Sequence, residues 1–143
     1  MALVEKSVLI ERTPAQMFVL VDRIEDYPQF LPWCGGSTIH ERTPTHTSAT
    51  VFINYHGLKS HFSTENTKDE PFLMDLKLRD WPFDHLAGHW RFTPLGDTAC
   101  KIEFRLQYEF SSQLLEKALG PVFHHITNTF VDSFVKRAQK VYG

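Results

Sequence analysis

Residues 98–143 decide the fold: TACKIEFRLQYEF (98–110) is followed at once by SSQLLEKALGPVFHHITNTFVDSFVKRAQKVYG (111–143). In the first part Cys100, Ile102, Phe104, Leu106, Tyr108 and Phe110 alternate with Lys101, Glu103, Arg105, Gln107 and Glu109. A period of two with one apolar and one polar side is a strand covered on one face, the signature of an antiparallel sheet. In the second part the period lengthens. Leu115, Leu119, Val122, Ile126, Phe130, Phe134 and Ala138 fall at three- and four-residue steps, the stripe of an amphipathic helix. Ser111 or Ser112 is placed to cap that helix, and Gly120-Pro121 is expected to kink or break it, because proline lacks the N–H and clashes with the preceding turn.

Upstream, the same reading gives more strands. Ser37 to Glu41, Thr47 to Tyr55, Leu58 to Asn66, Phe72 to Arg79 and His85 to Thr93 are separated by turn signals at Thr43-Pro44, His56-Gly57, Asp69-Glu70-Pro71 and Trp81-Pro82. Links this short join antiparallel neighbours. At the start, Val4, Lys6, Val8 and Ile10 alternate with Leu3, Glu5, Ser7 and Leu9 as a first strand. Thr13 before Pro14 is a helix start, giving a short helix over 14–22 and a second over 25–31 that Pro28 interrupts. The expected fold is α+β in one domain over residues 1–143: a strand, two short helices, a curved antiparallel sheet totalling six to seven strands, and one long helix. A twisted sheet cannot pack along its whole width on one helix, so bulky side chains fill the gap or a cavity remains. Twelve phenylalanines in 143 residues fit either outcome.

Composition narrows the function. A formal charge of −2 gives no drive toward DNA or toward an anionic membrane. Cys34 and Cys100 lie far apart without CxxC spacing, which fits two reduced thiols better than a disulfide framework or a zinc site. No stretch approaches the ~20 apolar residues of a membrane span, and no secretory leader is visible, so a cytoplasmic location is expected.

The candidate ligand-facing residues are Phe62, Met74, Leu76, Trp90, Phe92, Phe104, Leu106, Tyr108, Phe123, Ile126, Phe130 and Phe134, all on inward faces. A filled core explains each of them singly; a cavity explains the set. Tyr27, Phe30 and Trp33, held by Pro28 and Pro32, form either a hydrophobic plug or a gate beside the cavity. His85 and His89 share the outward side of a strand with no third ligand in sight, and His124-His125 cannot both face one ligand from adjacent helical positions. There is no HExxH, no GxSxG elbow, no phosphate-cradling glycine loop and no confident inward acid. Catalytic and metal roles are therefore assigned to no residue. Outward Lys59, Lys77, Arg79, Arg91, Lys101 and Arg105 are interspersed with Glu65, Asp75, Glu103 and Glu109, as on a solvated face or a local basic patch.

The run RTPAQMFVLVDRIEDYPQFLPWC, Arg12 to Cys34, resembles the N-terminal signature of bacterial START-like proteins, above all at Tyr27-Pro28 and Phe30-Leu31-Pro32-Trp33-Cys34. Trp90-Arg91-Phe92-Thr93-Pro94 and the strand Phe104 to Phe110 agree with it. This group includes coenzyme Q-binding START-domain proteins, the bacterial ribosome association toxin and polyketide cyclase-like proteins. The chain departs from the pattern at Trp81, where relatives often have Gly before a Pro-Phe turn. The resemblance implies a helix-grip fold around a hydrophobic small molecule, with ubiquinone or another prenyl lipid leading. No cofactor is required, enzymatic activity is not expected, and a transient contact with a membrane surface accompanies lipid carriage. The alternatives it implies are a toxin that binds the large ribosomal subunit and blocks 70S formation, and a polyketide cyclase-like enzyme.

Overall fold

The structure, a computed structural model, describes residues 1–78 and 82–143. Trp81 and Arg79 lie outside the described residues. Seven strands form one sheet: β1 (Ala2–Ile10), β2 (Cys34–Arg42), β3 (His46–Tyr55), β4 (Leu58–Asp69), β5 (Leu73–Leu78), β6 (Phe83–Leu95) and β7 (Ala99–Phe110). Helix α1 (Pro14–Asp22) and a 3-10 helix (Ile24–Gln29) follow β1, and α2 (Gln113–Tyr142) closes the chain. The strand order is β1-β7-β6-β5-β4-β3-β2, every pairing antiparallel. This is the helix-grip arrangement.

The local signals explain the elements. Thr13 caps α1 in a reciprocal box: its Oγ1 accepts from Gln16 N at 3.2 Å, and Gln16 Oε1 accepts from Thr13 N at 2.9 Å. Ser112 caps α2 by accepting from Leu115 N at 3.1 Å. The stretch after α1 winds as a 3-10 turn rather than an α-helix, because Pro28 sits inside it and removes a donor. Register irregularities at Cys34/Gly36, Ile39/Glu41 and Phe83/His85 bend the sheet about the helix.

One expectation is corrected. Helix α2 is not broken at Gly120-Pro121 but runs through it to Tyr142. Proline there removes only the bond to the Lys117 carbonyl. Lys117 and Pro121 are both exposed, so water can take that carbonyl.

The core lies between the sheet's concave face, α1 and α2. Trp90, Phe92, Phe134, Phe18, Met17 and Ile102 are almost wholly buried in it. At Gly88 the strands β6 and β7 come so close that an added Cβ would stand 2.1 Å from the Arg105 carbonyl oxygen. No helix among the described residues is long and apolar enough to cross a membrane.

Candidate functional site

Helix α2 approaches α1, β1 and β7 most closely. Opposite the middle of the sheet it leaves an internal cavity of about 70 Å³. The sheet contributes Val51 from β3, Phe62, Thr64 and Asn66 from β4, Met74 and Leu76 from β5, Leu86 and Trp90 from β6, and Phe104 and Leu106 from β7. Phe123, Ile126, Thr127 and Phe130 come from α2, and Val21, Ile24, Tyr27 and Trp33 close the end beneath α1 and the 3-10 helix.

Eleven of the fifteen candidate residues line this space: Tyr27, Trp33, Phe62, Met74, Leu76, Trp90, Phe104, Leu106, Phe123, Ile126 and Phe130. Four do not. Phe92 stacks behind Trp90 at 6.0 Å and meets Phe18 edge-on at 5.9 Å, so it lies in the layer under α1. Tyr108 packs on Phe83 and Phe123 near the start of α2. Phe30 and Phe134 pack against each other at 5.2 Å and against Tyr27, behind the cavity's end. For Phe92 and Tyr108, period-two alternation gives the face of the sheet but not the depth along it; Phe30 and Phe134 lie off the sheet, after the 3-10 helix and on α2.

Tyr27, Phe30 and Trp33 build a plug. Tyr27 and Trp33 are buried, and the Tyr27 hydroxyl donates to the Val21 carbonyl. Burial pushes the Tyr27 phenol far above its ordinary value, so it stays protonated and anchored. Phe130 joins them to the far wall, with ring centroids 6.2 Å from Tyr27, 6.2 Å from Trp33, 5.6 Å from Trp90 and 5.7 Å from Phe104.

Hydrophobicity patterns missed the polar part of the lining. On β4 the inward row reads Phe62, Thr64, Asn66, Lys68, which hides the period. Asn66 is 2% exposed, and its Oδ1 has no hydrogen-bond partner. Trp33 Nε1 is likewise buried and unpartnered. Thr127 is occupied by the His124 carbonyl at 3.1 Å. Beyond Asn66, Lys68 is buried and pairs with Asp22.

Among the described residues no carboxylate, imidazole or amine lines the cavity. His124 contacts Asn128 at 2.8 Å, and His125 stacks on Tyr55 at 5.1 Å, both on the helix's exposed side. His85 and His89 are half-buried on strand β6, outside the cavity lining. Among the described residues no group of three His, Cys, Asp or Glu is arranged to hold a metal. Cys34 and Cys100 are free thiols, and burial raises both, Cys100 to about 11, which keeps them protonated and weakly nucleophilic. On the sheet's other face Lys59, Lys77, Arg91 and Arg105 are exposed and Lys101 half-exposed.

Comparison with known proteins gives three levels of likeness. The family model for polyketide cyclase/dehydrase and lipid transport proteins matches residues 10–135. The ribosome association toxin RatA of Vibrio cholerae is 41% identical over 140 residues, covering 98% of this chain and 97% of that protein. A mitochondrial coenzyme Q-binding protein of Drosophila melanogaster is 23% identical over 96% of this chain but 59% of its own length. The crystal structure of an aromatase/cyclase from a Streptomyces species superposes with a TM-score of 0.85 at 11% identity, covering 99% of this chain and 96% of that one, a likeness of fold alone.

Proposed function

We propose that this chain, which belongs to the polyketide cyclase/dehydrase and lipid transport family, associates with the ribosome, binding the large subunit and hindering formation of 70S particles. The observation that carries this reading is 41% identity, end to end, with a protein named for ribosome association. The coenzyme Q-binding relative stands much further away, at 23%. Exposed Lys59, Lys77, Arg91 and Arg105 on the outer sheet face offer contacts to phosphates. With a net charge of −2 such contacts act locally and not through the field of the whole protein. The test is overexpression in a bacterium followed by sucrose-gradient sedimentation. Free subunits should rise at the expense of 70S particles, with the protein in the large-subunit fractions. Unchanged peaks and protein only at the top of the gradient overturn it.

A second reading, a carrier of a hydrophobic molecule, is favoured by the apolar cavity. Size decides how far it goes. An engineered protein cavity of about 150 Å³ admits benzene. This one, at about 70 Å³, is roughly half as large and admits no quinone ring as it stands. Carriage of ubiquinone therefore requires the cavity to widen. Lipid extraction and mass spectrometry of protein purified from a quinone-containing host test it; protein that carries none and binds no added ubiquinone overturns it. A cyclase reading would need an ionisable group at the cavity, and the described residues of the lining offer none.

A further inference from the structure

We infer that the outer face of the β3–β4 hairpin is a docking site for an unpaired RNA base, with Phe52 as the stacking platform and Lys59 as the phosphate contact; the source of that RNA rests on the ribosome reading. Phe52 points away from the core. Its neighbours Val51 and Ile53 are buried, whereas Phe52 is 41% exposed. Among the described residues it is the one large apolar side chain at the outward positions of β2, β3 and β4, where Thr38, Thr50, Asn54, His61 and Ser63 surround it. A single ring on a polar face is no apolar patch for a protein partner, which needs contiguous area.

The sheet leaves one side of this ring uncovered. Opposite Phe52 stand Gly36 on β2 and His61 on β4. Glycine has nothing to lay over the ring: a Cβ built at Gly36 would already lie 3.8 Å from the Phe52 Cδ2. On the other side the His61 ring stands 6.1 Å away, tilted by 47°. Exposed aromatic and imidazole rings are what unpaired bases stack on, and the contact tolerates any sequence because every base has a π-face.

Charge agrees with the rings. Across the ladders of the same sheet face, Arg105 stands opposite Glu5, Arg91 opposite Glu103 and Lys77 opposite Glu65, so a carboxylate competes with phosphate for each. Lys59 stands opposite Asn54 instead, and both are exposed. Lys59 is two residues from His61, roughly 7 Å along the strand, and so diagonal to Phe52. The pair supplies an amine for a phosphate and an amide that both donates and accepts for a base edge. Residues 42–64, which include the whole hairpin face from Phe52 to His61, contain no aspartate or glutamate. Negative charge is thus kept off the one part of the outer face that also presents an open ring.

The experiment titrates the purified protein, at low salt and without ribosomes, into a fluorescent single-stranded oligoadenylate of about eight nucleotides and follows anisotropy. The wild type should bind saturably. Phe52→Ala should weaken binding about tenfold, the value of one stacked base, and Phe52→Tyr, which keeps the ring, should bind like the wild type. Lys59→Gln should flatten the slope of log affinity against log salt by about 0.7, the value of one phosphate contact to a single strand. Lys101→Gln, the same charge change on β7, should leave that slope unaltered. Circular-dichroism melts confirm folding; should Phe52→Ala fail to fold, Phe52→Thr takes its place. RNA left unbound by the wild type, or bound equally by Phe52→Ala, overturns the inference. Sucrose gradients separate it from the ribosome reading. Wild-type protein that stays at the top of the gradient sinks that reading and leaves the titration to decide the base site. Wild type and Phe52→Ala reaching the large-subunit fractions equally keeps the reading and overturns the inference. Loss of subunit binding in Phe52→Ala, with no binding of RNA, assigns the face to a protein of the subunit and overturns it too.

Discussion

Lys68 and Asp22 meet inside the protein, with the Lys68 Nζ 3.3 Å from each carboxylate oxygen and side-chain exposures of 3% and 14%. The pair ties β4 to the end of α1, and Thr47 Oγ1 donates to the same carboxylate at 3.4 Å. Removing one member strands the other. Lys68→Met should therefore destabilise the fold by about 3–5 kcal/mol, toward the lower end because Asp22 retains some contact with water. The double variant Lys68→Met/Asp22→Leu should recover much of that loss, since two well-packed apolar groups carry no desolvation penalty. Urea denaturation of the four proteins in the cycle measures it. A double variant no more stable than the worse single one would show that the pair is a net source of stability.

That pair also marks where the sequence stops being readable. The alternation of Cys100 to Phe110, the stripe from Leu119 to Ala138 and the Thr13-Pro14 start each follow from side chains that agree with their element, and each element is found where those residues stand. Strand β4 offers no such agreement. Its inward residues Thr64, Asn66 and Lys68 are polar, and what makes burial of Lys68 tolerable is the Asp22 carboxylate, which is remote in sequence. The site was legible to the same degree: aromatic residues on inward faces were visible, whereas the unpaired Trp33 and Asn66 groups depend on what three-dimensional packing fails to supply. Proline at 121 misled for a related reason, because its cost depends on whether the freed carbonyl meets water.

Arg42 grips Glu25 with both guanidinium nitrogens, at 2.6 and 2.8 Å, and holds that carboxyl at about 2, below its ordinary 4.5; burial opposes the shift but is outweighed. Since the folded value is depressed, the stabilisation is complete above pH 4.5 and is lost as pH falls from there toward 2. Both side chains are about a third exposed, so water screens the pair and the contribution should be about 1 kcal/mol. Glu25→Gln should lower the denaturant midpoint at pH 5.5 and lose that deficit near pH 2.5. A deficit that stays constant with pH would show that the ion pair contributes nothing through ionisation.

Gly88 pairs with Leu106 on β7 and Leu76 on β5. A methyl group there would meet the Arg105 carbonyl oxygen at 2.1 Å and the Leu106 Cα at 2.9 Å, both backbone atoms with no rotamer to turn away. Gly88→Ala must push β6 from β7, and overpacking of this kind costs about 1–3 kcal/mol. Thermal melts should show the loss, and hydrogen exchange should speed up in these two strands above all. A wild-type melting temperature would mean that the strands have more room than the backbone spacing gives.

Phe130 supplies the sharpest check on which way α2 faces. It is half-buried in the cavity wall, with its ring 5.1 Å from Phe134 and 5.6 Å from Trp90, and among the described residues no cation lines that space. Phe130→Asp deletes the aromatic contacts, a loss that reaches about 3–5 kcal/mol for a fully buried ring. It also places an unpaired carboxylate against Trp90 and Phe104, which adds a desolvation cost. Against a typical total stability of about 5–15 kcal/mol the variant should be largely unfolded or melt far below the wild type. Asp132, two residues on, is exposed, and Asp132→Ala should change stability by no more than about 0.5 kcal/mol. Circular-dichroism melts of the two variants make the comparison. A stable Phe130→Asp beside a damaged Asp132→Ala would mean that the helix presents its opposite side to the sheet.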